Sequence, residues 1–251
     1  MDTSTPPPTA AGGPTPPPRR DRQRRFVYLA AGVLVTYLAA AYVVAPLAWE
    51  RYAHRHPALD DVPGITHAAD GIPGDPVNVA LVGTKAEMVR IMLAAKWAPA
   101  DPLSLKSSLE IAADAVFKRP DPDAPVSNLY LFGRKEDIAF EQQVDDNPRQ
   151  RHHVRFWQTD KADPDGRPVW VGSAVFDERV GLSRTTGQVT HVTAPDVDAE
   201  RDYLFRCLER TGDLTETFVV KDFHKVRSGK NGGGDPWTTD GDLWEGVIAA
   251  K

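Results

Sequence analysis

The 251-residue chain carries 30 lysines and arginines against 35 aspartates and glutamates, a net charge of −5. The charge is unevenly placed: the first 25 residues hold five arginines and two aspartates, a net of +3, which leaves −8 for everything after them. An acidic folded part argues against a broad basic face for nucleic acid, and the single cysteine, Cys207, excludes an internal disulfide and argues against a cysteine-built zinc site.

In chain order, "TPPPTAAGGPTPPP" is too rich in proline and glycine to pack and reads as a disordered or polyproline tail, which the arginine run "RRDRQRR" extends to residue 25. Residues 26–49, "FVYLAAGVLVTYLAAAYVVAPLAW", hold no charged side chain. As a helix they reach about 36 Å at 1.5 Å per residue, enough for a hydrocarbon core of about 30 Å. The apolar run is longer than the core of a cleaved signal peptide and too uniform for a buried helix of a soluble domain. Five arginines precede it, and only Arg51 and Arg55 follow closely. The expectation is therefore a single-pass inner-membrane protein with its amino terminus in the cytoplasm and residues 50–251 outside.

Residues 50–74 lack apolar periodicity and read as a connector, with the outer domain expected over 75–222. "VNVALVG" (77–83) predicts a strand, and Thr84 with Glu87 predicts a capping box that opens a helix running to about Lys96. Ser107 and Glu110 mark a second helix through Phe117. "SNLYLFGR" (127–134), "HHVRFWQT" (152–159), "VWVGSAVFDE" (169–178) and "GQVTHVT" (187–193) alternate as strands do. "PDVDAERDYLFRCLERTG" opens with acids, closes with Gly212 and predicts a helix with Cys207 on its apolar face. "TETFVVK" (215–221) is a last strand, and 223–251, with "SGKNGGGDPW", reads as a mobile tail. The pattern is α+β: a mixed, mainly antiparallel sheet with about three packed helices behind one transmembrane helix.

No complete catalytic motif is present: there is no GxSxG, P-loop, GxGxxG, HExxH or CxxC. The basic stretch "RQRHHVRFW" (149–157) is the main candidate for a site. On a strand its adjacent histidines point to opposite faces and cannot chelate one ion, so no metal and no cofactor is expected. Guanidinium forks suit phosphate or carboxylate. Arg151, His153 and Arg155 are therefore the leading ligand-binding residues, with Arg134 and His191 next. Salt bridges to acids such as Asp137, Glu141, Asp177 and Asp198 compete for the same arginines. Three functions remain open: a domain that binds an anionic ligand, lipid head group or envelope partner; a hydrolase of a phosphorylated or acylated envelope substrate, with His153 or His191 as base; and a scaffold that docks onto other membrane proteins.

"VNVALVGT", "PVSNLYLFGRKEDIAFE", "RHHVRFW", "GRPVWVGSAVFDERVGLS" and "TGQVTHVTAPDVDAERD", in that order, resemble the LssY carboxy-terminal domain family over roughly residues 75–212. Such domains stand behind membrane-spanning segments, including DedA-like and PAP2 phosphatase-like ones. The resemblance thus implies a membrane-tethered domain connected with lipid or envelope biology, and it does not imply phosphatase activity. The family often has His-His where this chain has His191-Val192. For the orientation, alkaline phosphatase fused after residue 251 should be active and the same reporter fused ahead of residue 1 inactive; the reverse pattern overturns it.

Overall fold

The computed structural model describes residues 19–49, 59, 61–100, 128–144, 147–185, 187 and 189–250. The proline-rich tail over 1–18 and the helix expected at 107–117 lie outside these residues. Two compact units are present, 1–53 and 54–251.

The first unit is a helix, α1 (Arg19–Ala39), continued by a π-helical turn (Ala40–Val44) and a last helical stretch to Trp49. Pro46 explains the turn, because it has no N–H to give the carbonyl four residues back, and a widened turn relieves the clash of its ring with that carbonyl. Arg22–Trp49 is long and apolar enough to cross a membrane. Its large side chains, Phe26 to Trp49, are exposed, as lipid-facing groups would be.

The second unit is α+β, as the sequence pattern implies. Its elements are β1 (Ile65–His67), β2 (Pro73–Pro76), β3 (Val79–Val82), α2 (Lys85–Ala94), β4 (Ala98–Pro99), β5 (Tyr130–Leu131), β6 (Arg134–Lys135), β7 (Ile138–Val144), β8 (Asn147–Ala162), β9 (Pro168–Leu182), β10 (Val189–Thr193), α3 (Val197–Glu209), β11 (Leu214–Val220), β12 (Ser228–Lys230), β13 (Pro236–Thr238) and β14 (Leu243–Ile248). The main sheet runs β11-β14-β3-β9-β8-β7-β4, with β10 on the far half of β9. All its pairs are antiparallel except β14 with β3. A second sheet, β2-β1-β5-β6, and the β12–β13 hairpin complete the unit.

Strand alternation sorts the side chains into two cores. Val79, Leu81, Phe140, Val154, Phe156, Trp170 and Ala174 form one cluster with α2 and α3. Ala80, Val82, Trp157, Val169 and Val171 form the other, with Leu131 of β5 and with Leu59 and Val62 ahead of β1. The helices start where the sequence says they should. Thr84 and Glu87 make both halves of a capping box, and Asp196 caps α3 by accepting from the N–H groups of Asp198 and Ala199.

Asn78 joins the strands on one edge of β9. β3 pairs with that edge up to Gly172, and β10 takes over at Asp177. Between them the Asn78 side chain accepts from the Ala174 N–H (2.8 Å) and donates to the Ala174 carbonyl (2.9 Å) and the Val197 carbonyl (3.0 Å). A side-chain amide here does the work of a missing peptide group.

Three readings of the sequence are corrected. Residues 127–134 are not one strand but a tight hairpin, β5–β6, because Phe132 (φ 53°) and Gly133 (φ 72°) adopt the left-handed conformation of a two-residue turn. Residues 50–74 are not only a connector: Leu59 and Val62 are core residues, and β1 starts at Ile65. Residues 223–251 are not a mobile tail. β14 lies between β11 and β3, Trp237 is buried, and Arg201 of α3 holds the segment by donating to Asp240 (2.9 and 3.0 Å) and to the Asp242 carbonyl (3.0 Å). "LWEGVI" carries no strand signal of its own, because a short strand buried on both faces shows no alternation.

Glu245 of β14 is only 1% exposed, and its Oε1 has no hydrogen-bond partner among the described residues. Burial pushes its carboxyl up to about 8. The folded state therefore keeps a proton that the unfolded chain releases near its ordinary value of 4.5. Stability from this group is full below that value and is lost as the pH rises through about 8, an effect on the order of a few kcal/mol. Denaturant unfolding of wild type should weaken across that window, and Glu245→Gln should flatten the decline; parallel profiles would refute it.

Candidate functional site

The long strands β8 and β9 carry the site on the face opposite the helices. Along β8 the phase of Val154 and Phe156 points to the helix-side core, which leaves Arg151, His153 and Arg155 on the other face. Asp177 of β9 lies opposite Arg151 in register, and Glu141 of β7 lies opposite His153. The two histidines part company as alternation requires. His152 stacks on Tyr203 (centroids 4.0 Å apart, 13° between planes) and meets Glu200 Oε2 at 2.8 Å. His153 joins the arginines.

Arg151 is the hub. Its Nε donates to Asp177 Oδ2 (2.9 Å), its Nη1 to Glu141 Oε2 (3.2 Å) and its Nη2 to His191 Nδ1 (3.3 Å). Two carboxylates and an imidazole make a donor set for a cation, and here that cation is the guanidinium. Asp177 is fully buried. Burial pushes its carboxyl up, but its contacts with His153 and Arg151 outweigh this and hold it well below the usual carboxylate range. Glu141 shifts the other way: burial, helped by neighbouring Asp177, raises it despite Arg151 and His153. One guanidinium between two carboxylates keeps the better-connected one ionised.

The same contacts fix two tautomers. A guanidinium can only donate, so when Arg155 Nη1 meets His153 Nε2 at 2.9 Å, that nitrogen accepts. His153 Nδ1 then carries the proton and donates to Asp177 Oδ2 (3.1 Å). Likewise His191 Nδ1 accepts from Arg151, which leaves the His191 proton on Nε2, where no protein partner stands among the described residues. Burial lowers the affinity of His191 for a second proton; Asp177 opposes this, and Arg151, His153 and Arg155 add to it.

A cavity of about 370 Å³ opens beside this network, within the range of small-molecule sites. His153, Arg155, Asp177 and His191 line it from the main sheet, Asp70 and Asp75 from the β1–β2 region, and Asn231 to Gly233 from the β12–β13 turn. Of the five residues expected to bind a ligand, His153, Arg155 and His191 line this cavity and Arg151 stands behind it. Arg134 is elsewhere: it pairs with Asp137 and with the Gln158 carbonyl, and its own carbonyl accepts from Trp157 Nε1 (3.2 Å). Asp177, which the sequence offers as a salt-bridge acid for these arginines, pairs with Arg151 and lines the cavity as well. Asn231 escaped because its stretch reads as tail. In fact Asn231 Oδ1 accepts from the N–H groups of Gly233 (3.1 Å) and Asp235 (3.0 Å), while its amide donates to Asp75 (3.1 Å) and Thr193 (3.0 Å).

The family model described as LssY C-terminus matches residues 59–243. The chain belongs to the LssY C-terminal family. The matched stretch of the LssY domain begins at the core residue Leu59 and takes in the β12–β13 turn, so both the connector and the supposed tail contribute to the domain. Among curated proteins and solved structures no significant match is found.

The two arginines expected to act alike should behave differently in the LssY domain. Arg151→Met leaves Asp177 and Glu141 buried beside each other without their cation, and chemical denaturation should show a loss of about 3–5 kcal/mol. Arg134→Gln removes a partly exposed pair and should cost less than about 1 kcal/mol. Equal losses would contradict the assignment of Arg151 as the buried hub.

Proposed function

We propose that this protein is a single-pass, membrane-anchored binding module. Its LssY domain lies on the extracytoplasmic side and takes the phosphate or carboxylate end of a polar head group into the cavity beside Arg151. The supporting observation is the convergence of Arg155, His153 and His191 on one cavity, with His191 left to present an Nε2–H rather than a lone pair. A phosphate or carboxylate oxygen is the natural acceptor for that donor and for a guanidinium.

The same observation weighs against the hydrolase reading. A general base needs an unshared nitrogen lone pair within reach of the proton it removes. In His153 and His191 that lone pair is already engaged by an arginine. Binding therefore fits the geometry better than acid–base chemistry by these two residues. The charges also collect around a concavity rather than across a flat face, which favours a ligand over a purely docking role.

Gly232 gives a direct test. It lines the cavity, and a Cβ built on it would meet nothing nearer than Ala68 Cβ at 3.7 Å and the Pro73 carbonyl at 3.8 Å. Gly232→Leu therefore fills the cavity and leaves the Arg151 network intact. Full-length protein in detergent micelles would be titrated with inorganic phosphate, n-propyl phosphate, glycerol 3-phosphate, phosphoethanolamine, phosphocholine and phosphoserine, with thermal unfolding as readout. At least one should stabilise the wild type, by about 2.7 kcal/mol at a hundredfold excess over Kd. Gly232→Leu should abolish the shift and keep its own unliganded Tm. No response in wild type, or an unchanged response in the variant, overturns the proposal.

A further inference from the structure

The cavity is not a simple anion hole. Among its described lining residues Arg155 is the only lysine or arginine, whereas Asp70, Asp75 and Asp177 are all carboxylates. Leaving the imidazoles aside, the lining is acid by two charges, and the guanidinium behind it, Arg151, is shared between Asp177 and Glu141. Each carboxylate also has one oxygen in use and one without a protein partner among the described residues. Asp177 Oδ2 takes the two N–H donors described above, and its Oδ1 is buried with none. Asp75 Oδ1 accepts from Asn231 Nδ2 (3.1 Å), and Asp70 Oδ1 accepts from the Ile72 N–H (3.2 Å). The second oxygens of both are unclaimed.

A ligand bearing only phosphate would meet three like charges, and such juxtapositions disfavour binding strongly. A wholly buried carboxylate oxygen without a donor is likewise costly until something donates to it. An ammonium group removes the first difficulty by its opposite charge, and it brings three N–H donors to the carboxylates that line the cavity.

We propose that the head group bound in this cavity is zwitterionic, an ammonium-bearing phosphoester. Its phosphate is read by Arg155 and the His191 Nε2–H, and its ammonium by the carboxylates of Asp177, Asp75 and Asp70. This rests on the reading of the cavity as a head-group site and narrows it to one ligand class. The bound group is either the head of a lipid or a free ester of the same chemistry.

The test compares phosphoethanolamine with n-propyl phosphate, which puts a methyl group where the ammonium stands, on full-length protein in detergent micelles by isothermal titration. Phosphoethanolamine should bind at least tenfold more tightly, and Asp70→Asn should shrink that ratio by weakening phosphoethanolamine without weakening n-propyl phosphate. Because Asp70 is exposed and only caps a turn, the variant is expected to fold. Equal affinities for the two esters in wild type overturn the zwitterion inference but leave the binding module standing. If neither ester binds, or both bind the Gly232→Leu variant as well as wild type, the inference falls, and in the second case the head-group site falls with it. Mixed micelles containing phosphatidylethanolamine name the source: competition with phosphoethanolamine assigns the lipid, and its absence assigns the free ester.

Discussion

One buried guanidinium ties together the part of this domain that carries chemistry. Arg151 sits on β8 and reaches Glu141 on β7, Asp177 on β9 and His191 on β10, so a single side chain links four strands. A buried charge is tolerated only with its partners in place, and those partners are tolerated only with the charge. The registers of four strands are therefore coupled. A slip of one residue in any of them would turn a polar or charged group to the helix-side core.

The same economy shapes what the cavity can do. Arginines spend their donors on imidazole nitrogens, and this consumes the lone pairs that would make His153 and His191 bases. What reaches the cavity is a set of oriented donors and half-satisfied carboxylates, which is the basis of the proposal that it holds a ligand by complementary charge. The turn that closes the cavity is built on local hydrogen bonds of Asn231, with Gly232 presenting no side chain to the space. Asn78 plays a parallel role in the sheet: it fills the join between β3 and β10 and lets β9 serve two neighbours along one edge.

Much of the fold was legible because its signals are local. A capping box marks α2, an acidic first turn marks α3, and alternation marks β8, β9 and β10. The split of His152 from His153 follows from the pleat alone. The signals that failed were those in which local pattern and tertiary role diverge. "LWEGVI" is a short strand buried on both faces, so no periodicity betrays it. "SGKNGGGDPW" has the composition of a loose end, yet its turn packs against β2 and β10 through Asn231. "SNLYLFGR" alternates, but Phe132-Gly133 turns it back on itself.

The amino-acid sequence by itself determined the apolar helix long enough for a membrane, the α+β class, the family and the face of β8 on which His153 and Arg155 lie, because each depends on near neighbours in the chain. Only the tertiary structure decided which charges meet. Arg134 and Arg151 look equivalent in sequence, yet Arg134 closes a partly exposed pair while Arg151 is buried among acids drawn from strands as far as 26 residues away. Electrostatic partnership in a desolvated site depends on distances in space, and no spacing along the chain encodes those.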